Sequence, residues 1–89
     1  MMAETVTIIN KLGLHARAAA KLVQLSNQFS AEIRVEKDGE MADAKNIMDV
    51  LMLAGTKDSV LRISAEGEDE ADALREIRNL ISDRFGEEE

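Results

Sequence analysis

The chain has 89 residues, of which 45% are hydrophobic and 33% are charged, and its formal net charge is −7. This balance is typical of a single globular domain over residues 1–89 and excludes a disordered chain. The excess of acidic side chains, with two Phe and no Trp or Tyr, argues against nucleic-acid binding.

Cysteine and histidine counts limit the chemistry of the chain. With no Cys and one His, the sequence offers no disulfide framework and no usual zinc site, and we expect neither a metal nor a cofactor. The first ten residues lack the basic and apolar segments of a signal peptide, and no apolar run reaches membrane-spanning length. The expectation is a cytoplasmic protein without direct membrane insertion.

The N-terminal part of the chain predicts a strand followed by a helix. Residues 5–9 form a β-branched run with alternating polarity, which predicts a strand, and a Gly-containing loop follows at residues 10–14. From His15 onward, an Ala-rich stretch predicts a helix whose buried face carries Ala19, Leu22, Val23 and Phe29.

A hairpin is predicted next. Apolar and charged side chains alternate over Glu32–Lys37, and Asp38 and Gly39 separate this run from a second strand at residues 40–43. The Asp-Gly pair is a strong short-range hairpin signal, because both positions tolerate positive φ.

The C-terminal half predicts a short apolar segment, a strand and a long helix. Residues 47–53 are either a helix or an exposed apolar turn, and alternation over Val60–Glu66 predicts a fourth strand. A helix is predicted over residues 69–85, with the acidic tail at residues 86–89 frayed. Its apolar stripe comprises Leu74, Ile77, Ile81 and Phe85. The order β-α-β-β-α-β-α predicts an α+β fold, with a largely antiparallel sheet covered by helices on one face.

The starts of the three predicted helices differ. Asn46, with Asp49 three residues on, suits a helix N-terminus, and Asp69 opens an acidic first turn. The helix at His15 has no Ser, Thr, Asp or Asn cap and carries Arg17 instead of an acid. One interpretation is an anion site with a nucleophilic imidazole. The other is a solvated loop histidine beside an ordinary surface Arg, and the residues alone leave both open.

Three segments resemble one protein family. Residues 13–20 (GLHARAAA) are similar to the phosphorylation-site signature of HPr, the histidine-containing phosphocarrier of the bacterial phosphotransferase system. Residues 45–48 (KNIM) and 63–70 (ISAEGEDE) resemble the start of the second helix and the exit of the fourth strand in that family. The resemblance implies an HPr-like open-faced β-sandwich, with four antiparallel strands under three helices.

The resemblance also implies a reaction. His15 accepts a phosphoryl group on Nδ1 from phosphorylated enzyme I, which phosphoenolpyruvate charges, and passes it to a histidine of an enzyme IIA domain. The backbone N–H groups of Ala16 and Arg17 and the Arg17 side chain would hold the phosphate. Such a chain is a carrier and a substrate of other enzymes, and it needs no metal or cofactor.

A partner-binding surface is expected beside the histidine. The short apolar segment has more large side chains than one face can bury, although complete burial is an open alternative. In HPr-like proteins this segment docks on partners together with the exposed face of the first helix. The expected contact residues are Ala20, Lys21, Gln24, Ile47, Met48, Leu51 and Met52. A basic rim of Lys11, Arg17, Lys21 and Lys45 would steer acidic partners to a monomeric carrier.

The sequence departs from the family at four positions. Asn46 stands where many members carry a regulatory phosphoserine, so no such phosphorylation is expected, and Asp49 replaces a common Gly. Ala18 replaces a frequent Pro, and Leu12 resembles the nitrogen-related branch. An alternative function is therefore a nitrogen-type regulatory binding module whose phosphorylation state switches partner binding.

Overall fold

The structure is a computed structural model that describes residues 1–89, with four strands and three α-helices in the predicted order β-α-β-β-α-β-α. The elements are β1 (Met2–Thr7), α1 (Ala16–Ser26), β2 (Glu32–Lys37), β3 (Glu40–Asp43), α2 (Ile47–Met52), β4 (Val60–Glu66) and α3 (Glu70–Ser82), followed by a 3₁₀ turn at Arg84–Gly86.

The four strands form one antiparallel sheet in the order β1-β4-β2-β3. Val35 of β2 pairs with Ile63 of β4 on one side and with Ala42 of β3 on the other, and all three are buried. Buried and exposed side chains alternate along β2 and β4, so the helices cover one face while the other meets water. The predicted α+β architecture is confirmed.

The hairpin of β2 and β3 is determined by its two turn residues. Asp38 has φ 51° and Gly39 has φ 84°, which is the pair of left-handed conformations that a two-residue type I′ turn requires. Because the turn sets the register, the predicted bounds of β2 and β3 are those observed.

The first strand was predicted too late in the chain. It runs over Met2–Thr7 and not over residues 5–9, because its partner β4 begins only at Val60. Ile8 still donates its N–H to the Ser59 carbonyl at 2.9 Å and accepts from the Asp58 N–H at 2.8 Å, and its side chain is fully buried. The pairing therefore continues as loop contacts beyond the strand.

Helices α1 and α3 bury most of the predicted stripes. Ala19 and Leu22 of α1 belong to the core together with Leu74, Ile77 and Ile81 of α3. Val23 and Phe29 are only partly buried, and Phe29 lies beyond the end of α1.

The third helix is shorter than predicted, and Asp69, which precedes it, binds the loop before β2 and not the helix. The helix ends at Ser82, because Arg84 and Phe85 have φ 55°, a left-handed conformation that no α-helix continues through. Asp69 makes no cap bond to α3; its carboxylate accepts from the backbone N–H groups of Ser30 at 2.9 Å and Ala31 at 2.8 Å. These bonds, chiefly the one from Ser30, hold the pKa of Asp69 below its ordinary value despite partial desolvation.

Of the two interpretations of residues 47–53, the helical one is confirmed by α2 (Ile47–Met52). Neither this helix nor the other two has the length and apolarity required to cross a membrane.

Candidate functional site

A left-handed glycine delivers the chain to the start of α1. Gly13 has φ 65°, and a Cβ there would lie 2.4 Å from the carbonyl oxygen of Gly55. Leu14 follows, buried in the core, with its N–H donating to the same carbonyl at 2.9 Å. A residue other than glycine would push the chain away from this loop, so Gly13 fixes the position of His15.

His15 is itself the N-cap of α1, which corrects the expectation of an uncapped helix. Its backbone is extended, with φ −70° and ψ 174°, and Nδ1 accepts from the Arg17 backbone N–H at 3.2 Å. Ring nitrogens are unusual capping atoms, and the prediction considered only oxygen-bearing side chains. The absence of an acid from the first turn was predicted correctly.

The other ring nitrogen of His15 contacts the C-terminal tail. Nε2 is hydrogen-bonded to Glu87 Oε2, and Glu87 Oε1 accepts from Asn10 Nδ2 at 2.9 Å. The hydrogen bond from Asn10, followed by the hydrogen bond from His15 and the charge of Lys21, holds the pKa of Glu87 below its ordinary value against desolvation. Glu87 is therefore a carboxylate at neutral pH.

Asn10 anchors this carboxylate from within the fold. Its side chain is fully buried, and Nδ2 donates both to Glu87 and to the carbonyl of Gly13, the latter at 2.9 Å. Its Oδ1 is buried without a hydrogen-bond partner, a state that costs about 1–3 kcal/mol in proteins. The two acceptors on Nδ2 thus set the orientation of the amide.

Three successive residues with positive φ bring the tail to His15. Arg84 and Phe85 have φ 55° and Gly86 has φ 79°, while the Phe85 ring is fully buried. Lys21 Nζ donates to the Phe85 carbonyl at 2.6 Å. The backbone carbonyl of Glu89 accepts from the Lys11 backbone N–H, and Glu89 Oε2 lies 3.6 Å from Lys11 Nζ. The prediction that residues 86–89 are frayed is wrong.

A groove of about 490 Å³ lies between the tail and the start of α1, lined by residues 86–89 with Lys11, Leu12, Arg17 and Lys21. The Arg17 guanidinium makes no ion pair or hydrogen bond, in contrast to the two lysines. Lys45, predicted on the same basic rim, instead donates to the carbonyl of Phe29 at 2.7 Å, beyond the other end of α1. The structure therefore brings together three of the four predicted basic residues.

The predicted contact residues lie largely at the surface. In α2, Met48 is 64% and Met52 75% exposed, Leu51 is half-buried against the core, and Val50 is the one fully buried residue. Ile47 is exposed at the same helix start, and α2 packs against α1. On α1, Gln24 is exposed and Ala20 and Lys21 are half-buried. The alternative of a wholly buried segment is excluded.

Sequence analysis missed two residues at the site, Asn10 and Glu87. An Asn at the end of an apolar strand, three residues before a Gly, was the available signal for the first. The available signal for Glu87 was the preceding pair Phe85-Gly86, which is typical of a left-handed turn after a helix. No group of three or more His, Cys, Asp and Glu side chains forms a metal site.

Comparisons with known proteins point to one family. Residues 2–83 match the family described as "PTS HPr component phosphorylation site". The "Phosphocarrier protein HPr" of Cupriavidus necator is 46% identical over 89 residues, covering 100% of both chains.

Two solved structures from Thermoanaerobacter tengcongensis are similar at 45% identity. The chain named HPr-C-His superposes with a TM-score of 0.97 over 100% of both chains. The chain of an HPr dimer superposes with a TM-score of 0.79, covering 98% of this chain and 100% of that one. The matches favour a carrier over the alternative of a regulatory binding module. This chain belongs to the HPr family of phosphocarrier proteins of the phosphotransferase system.

Proposed function

We propose that His15 accepts a phosphoryl group on Nδ1 from phosphorylated enzyme I and passes it to a histidine of an enzyme IIA domain. Phosphoenolpyruvate charges enzyme I, and the exchange takes place in the cytoplasm. The chain acts as a substrate of enzyme I and as a phosphoryl donor to IIA, without turning over a substrate of its own.

The observation that carries the proposal is the environment of Nδ1. The His15 side chain is 27% exposed, and Nδ1 accepts only the backbone N–H of Arg17. An unprotonated ring nitrogen at an accessible helix start is a nucleophile that an incoming phosphoryl group can reach.

Phosphoryl transfer requires mainly position and charge stabilisation. The Nδ1 lone pair forms a bond to phosphorus, the bond from phosphorus to the donor atom breaks, and its electron pair returns to the donor. The Arg17 N–H is released from Nδ1 and can donate to a phosphate oxygen. The Ala16 N–H has no partner within the chain, and it adds a second donor at the positive end of the helix.

The Arg17 side chain supplies the remaining charge. It is exposed and makes no ion pair, so it can turn toward a phosphoryl group without breaking an existing contact. A guanidinium can donate two hydrogen bonds to the same phosphate, which fixes both its distance and its orientation.

Partners are proposed to dock on one surface beside this site. One part of it is α2 with the apolar side chains of Ile47, Met48, Leu51 and Met52, and the other part is α1 with Ala20 and the polar side chains of Lys21 and Gln24. Met side chains adapt to different partners, which suits a carrier that must bind both its donor and its acceptor. Asn46 has no hydroxyl, so the regulatory serine phosphorylation of other family members is not expected.

Purified enzyme I with phosphoenolpyruvate tests the proposal. One phosphoryl group, acid-labile and base-stable, should be added to the wild-type chain and none to His15→Ala. The Arg17→Ala variant should accept it more slowly, by about a hundredfold. A wild-type chain that stays unmodified by its cognate enzyme I would contradict the proposal.

The acceptor and the oligomeric state need separate measurements. Rescue of sugar uptake in a strain lacking HPr would assign the chain to sugar transport, whereas transfer only to a nitrogen-type IIA would assign it to the nitrogen branch, which Leu12 resembles. We propose a monomer, because a carrier must leave its histidine face accessible. Equilibrium sedimentation tests this against the dimeric arrangement of the Thermoanaerobacter relative.

A further inference from the structure

We propose that Asn10 and Glu87 act as positioning residues, which hold the neutral His15 ring with its proton on Nε2 and keep the Nδ1 lone pair free. The effect on phosphoryl transfer rests on the carrier function proposed above. The position of the proton is a property of the free chain and is measured without any partner.

Two contacts on opposite sides of the ring require the same tautomer. The Arg17 backbone N–H can only donate, so Nδ1 must offer a lone pair to it at 3.2 Å. The Glu87 carboxylate can only accept, so Nε2 must carry the hydrogen of the second bond. With the proton on Nδ1 instead, the Nδ1–H would point at the Arg17 N–H, and the lone pair of Nε2 would face the Glu87 carboxylate.

The carboxylate is held in place from the fold and does not simply follow the ring. Asn10 donates to Glu87 and to the Gly13 carbonyl from a fully buried side chain, both at 2.9 Å. The same amide therefore ties the tail to the loop that delivers His15. Oδ1 of Asn10 has no hydrogen-bond partner, so the two bonds donated by Nδ2 determine the orientation of the amide.

This arrangement also suits the charge change during transfer. When Nδ1 forms its bond to phosphorus and the donor atom leaves with its electron pair, the ring keeps the hydrogen on Nε2 and becomes positively charged. A carboxylate already bonded to that N–H offsets the charge without moving, as a carboxylate does for the histidine of hydrolytic triads. When the phosphoryl group moves on to the acceptor, the ring returns to the same neutral tautomer.

Glu87→Gln tests the position of the proton, with Glu88→Gln as its matched control. The Gln oxygen should take the bond from Asn10, which turns the Gln amide toward Nε2 and opposes the Nε2–H tautomer. Glu88 is exposed and makes no hydrogen bond or ion pair. Its substitution therefore removes the same charge from the same segment without removing a contact.

Nitrogen-15 NMR of the full-length chain provides the measurement, because His15 is the only histidine and its ring signals need no assignment. At a pH where the ring is neutral, wild type and Glu88→Gln should show a protonated Nε2 and an unprotonated Nδ1. In Glu87→Gln the ratio of the two tautomers should shift toward Nδ1–H by about tenfold, the factor that one neutral hydrogen bond provides. Melting curves confirm that all three chains are folded.

The kinetic arm uses the same three chains with phosphorylated enzyme I. The rate of transfer should fall about tenfold in Glu87→Gln and stay unchanged in Glu88→Gln. A wild-type ring protonated on Nδ1, or equal tautomer ratios in the two variants, overturns the inference even if both chains are phosphorylated. A wild-type chain with the expected tautomer that enzyme I does not phosphorylate overturns the carrier function alone.

Discussion

Helices α1 and α2 both begin with a side chain that folds back onto the helix backbone, but the capping atoms differ. Asn46 Oδ1 accepts from the backbone N–H groups of Met48 at 3.0 Å and Asp49 at 3.2 Å. His15 Nδ1 accepts from one, that of Arg17 at 3.2 Å. An amide oxygen is unreactive at neutral pH, whereas an unprotonated imidazole nitrogen is also a nucleophile.

The surroundings of the two caps follow this difference. The first turn of α2 contains the acid Asp49, which suits the helix dipole, and its cap is exposed. The first turn of α1 contains no acid, and its cap is bonded to the tail by Glu87. The start of α1 thus lacks the acid in its own first turn that would stabilise the helix, and the proposed phosphoryl acceptor stands at that position.

The largest expected effect comes from giving α1 the cap of α2. In His15→Asn the cap is retained, because Asn is among the best capping residues, but the nucleophile is lost. We expect no phosphorylation by enzyme I, with a free energy of unfolding about 1 kcal/mol above that of His15→Ala. Mass spectrometry and urea unfolding of the two variants measure both quantities. Equal stability would show that the cap at residue 15 contributes nothing.

A second large effect should follow from removing the anchor that distinguishes the start of α1. Phe85→Ala opens a cavity in the core and should destabilise the fold by about 3–5 kcal/mol. It should also free Glu87 from His15, since the left-handed turn at Phe85 positions the tail. The partly buried Leu80→Ala is the control, with a smaller loss of stability and an intact Glu87 contact. Thermal unfolding and the ring signals of His15 distinguish the two.

An acid at the start of α1 sharpens the comparison further. In Ala16→Asp the first turn becomes like that of α2, which should stabilise the helix by about 0.3–1 kcal/mol. The added charge should repel the phosphoryl group and slow transfer from enzyme I by about tenfold. Ala16→Asn, of similar size without the charge, should transfer at close to the wild-type rate. A normal rate in Ala16→Asp would contradict the role proposed for the positive helix start.

The same contrast explains how far the sequence predicts the molecule. The Asp38-Gly39 turn, β4 and the Asn46 cap depend on residues within a few positions of one another, and each was predicted correctly. His15 was singled out because the acids and caps of the other helices were missing around it. Local patterns therefore suffice to single out His15 as the proposed phosphoryl acceptor.

The support of that residue was not predictable in the same way. Glu87 lies 72 positions from His15 and 77 from Asn10, and an acid in a charged tail is normally solvated. Its position depends on Arg84 and Phe85 adopting φ 55°, which the burial of the Phe85 ring compensates. Lys45 is absent from the basic rim for a similar reason, because its ammonium group donates to the carbonyl of Phe29, 16 positions away in the chain.

Removing the inert cap should have a modest and purely structural effect. Asn46→Ala loses both hydrogen bonds at the start of α2 and should lower the free energy of unfolding by about 1 kcal/mol. Asn46→Ser, which retains a capping oxygen, should recover most of that loss. In both variants His15 should still accept a phosphoryl group. Urea unfolding checks the stability, and a loss in Asn46→Ser equal to that in Asn46→Ala would argue against a capping role.

The smallest effect is a difference in pH response between the two helix starts. The pKa of Glu87 is held below its ordinary value of 4.5, first by Asn10 and then by His15 and Lys21. A depressed carboxyl pKa stabilises the fold above the unfolded-state value, and the contribution is lost as the pH falls through the folded-state value. Wild type should therefore exceed Glu87→Gln in stability, by less than about 1 kcal/mol, above pH 4.5, and the difference should disappear in more acidic solution.

Asn46 does not titrate, so the stability difference between wild type and Asn46→Ala should stay nearly constant over the same pH range. Urea unfolding of the three chains between neutral pH and pH 3 measures both differences. A Glu87→Gln difference that persists at pH 3 would mean that the side chain contributes through packing and not through its charge. The tail would then cover His15 without responding to acid, and the two helix starts would no longer differ in their pH response.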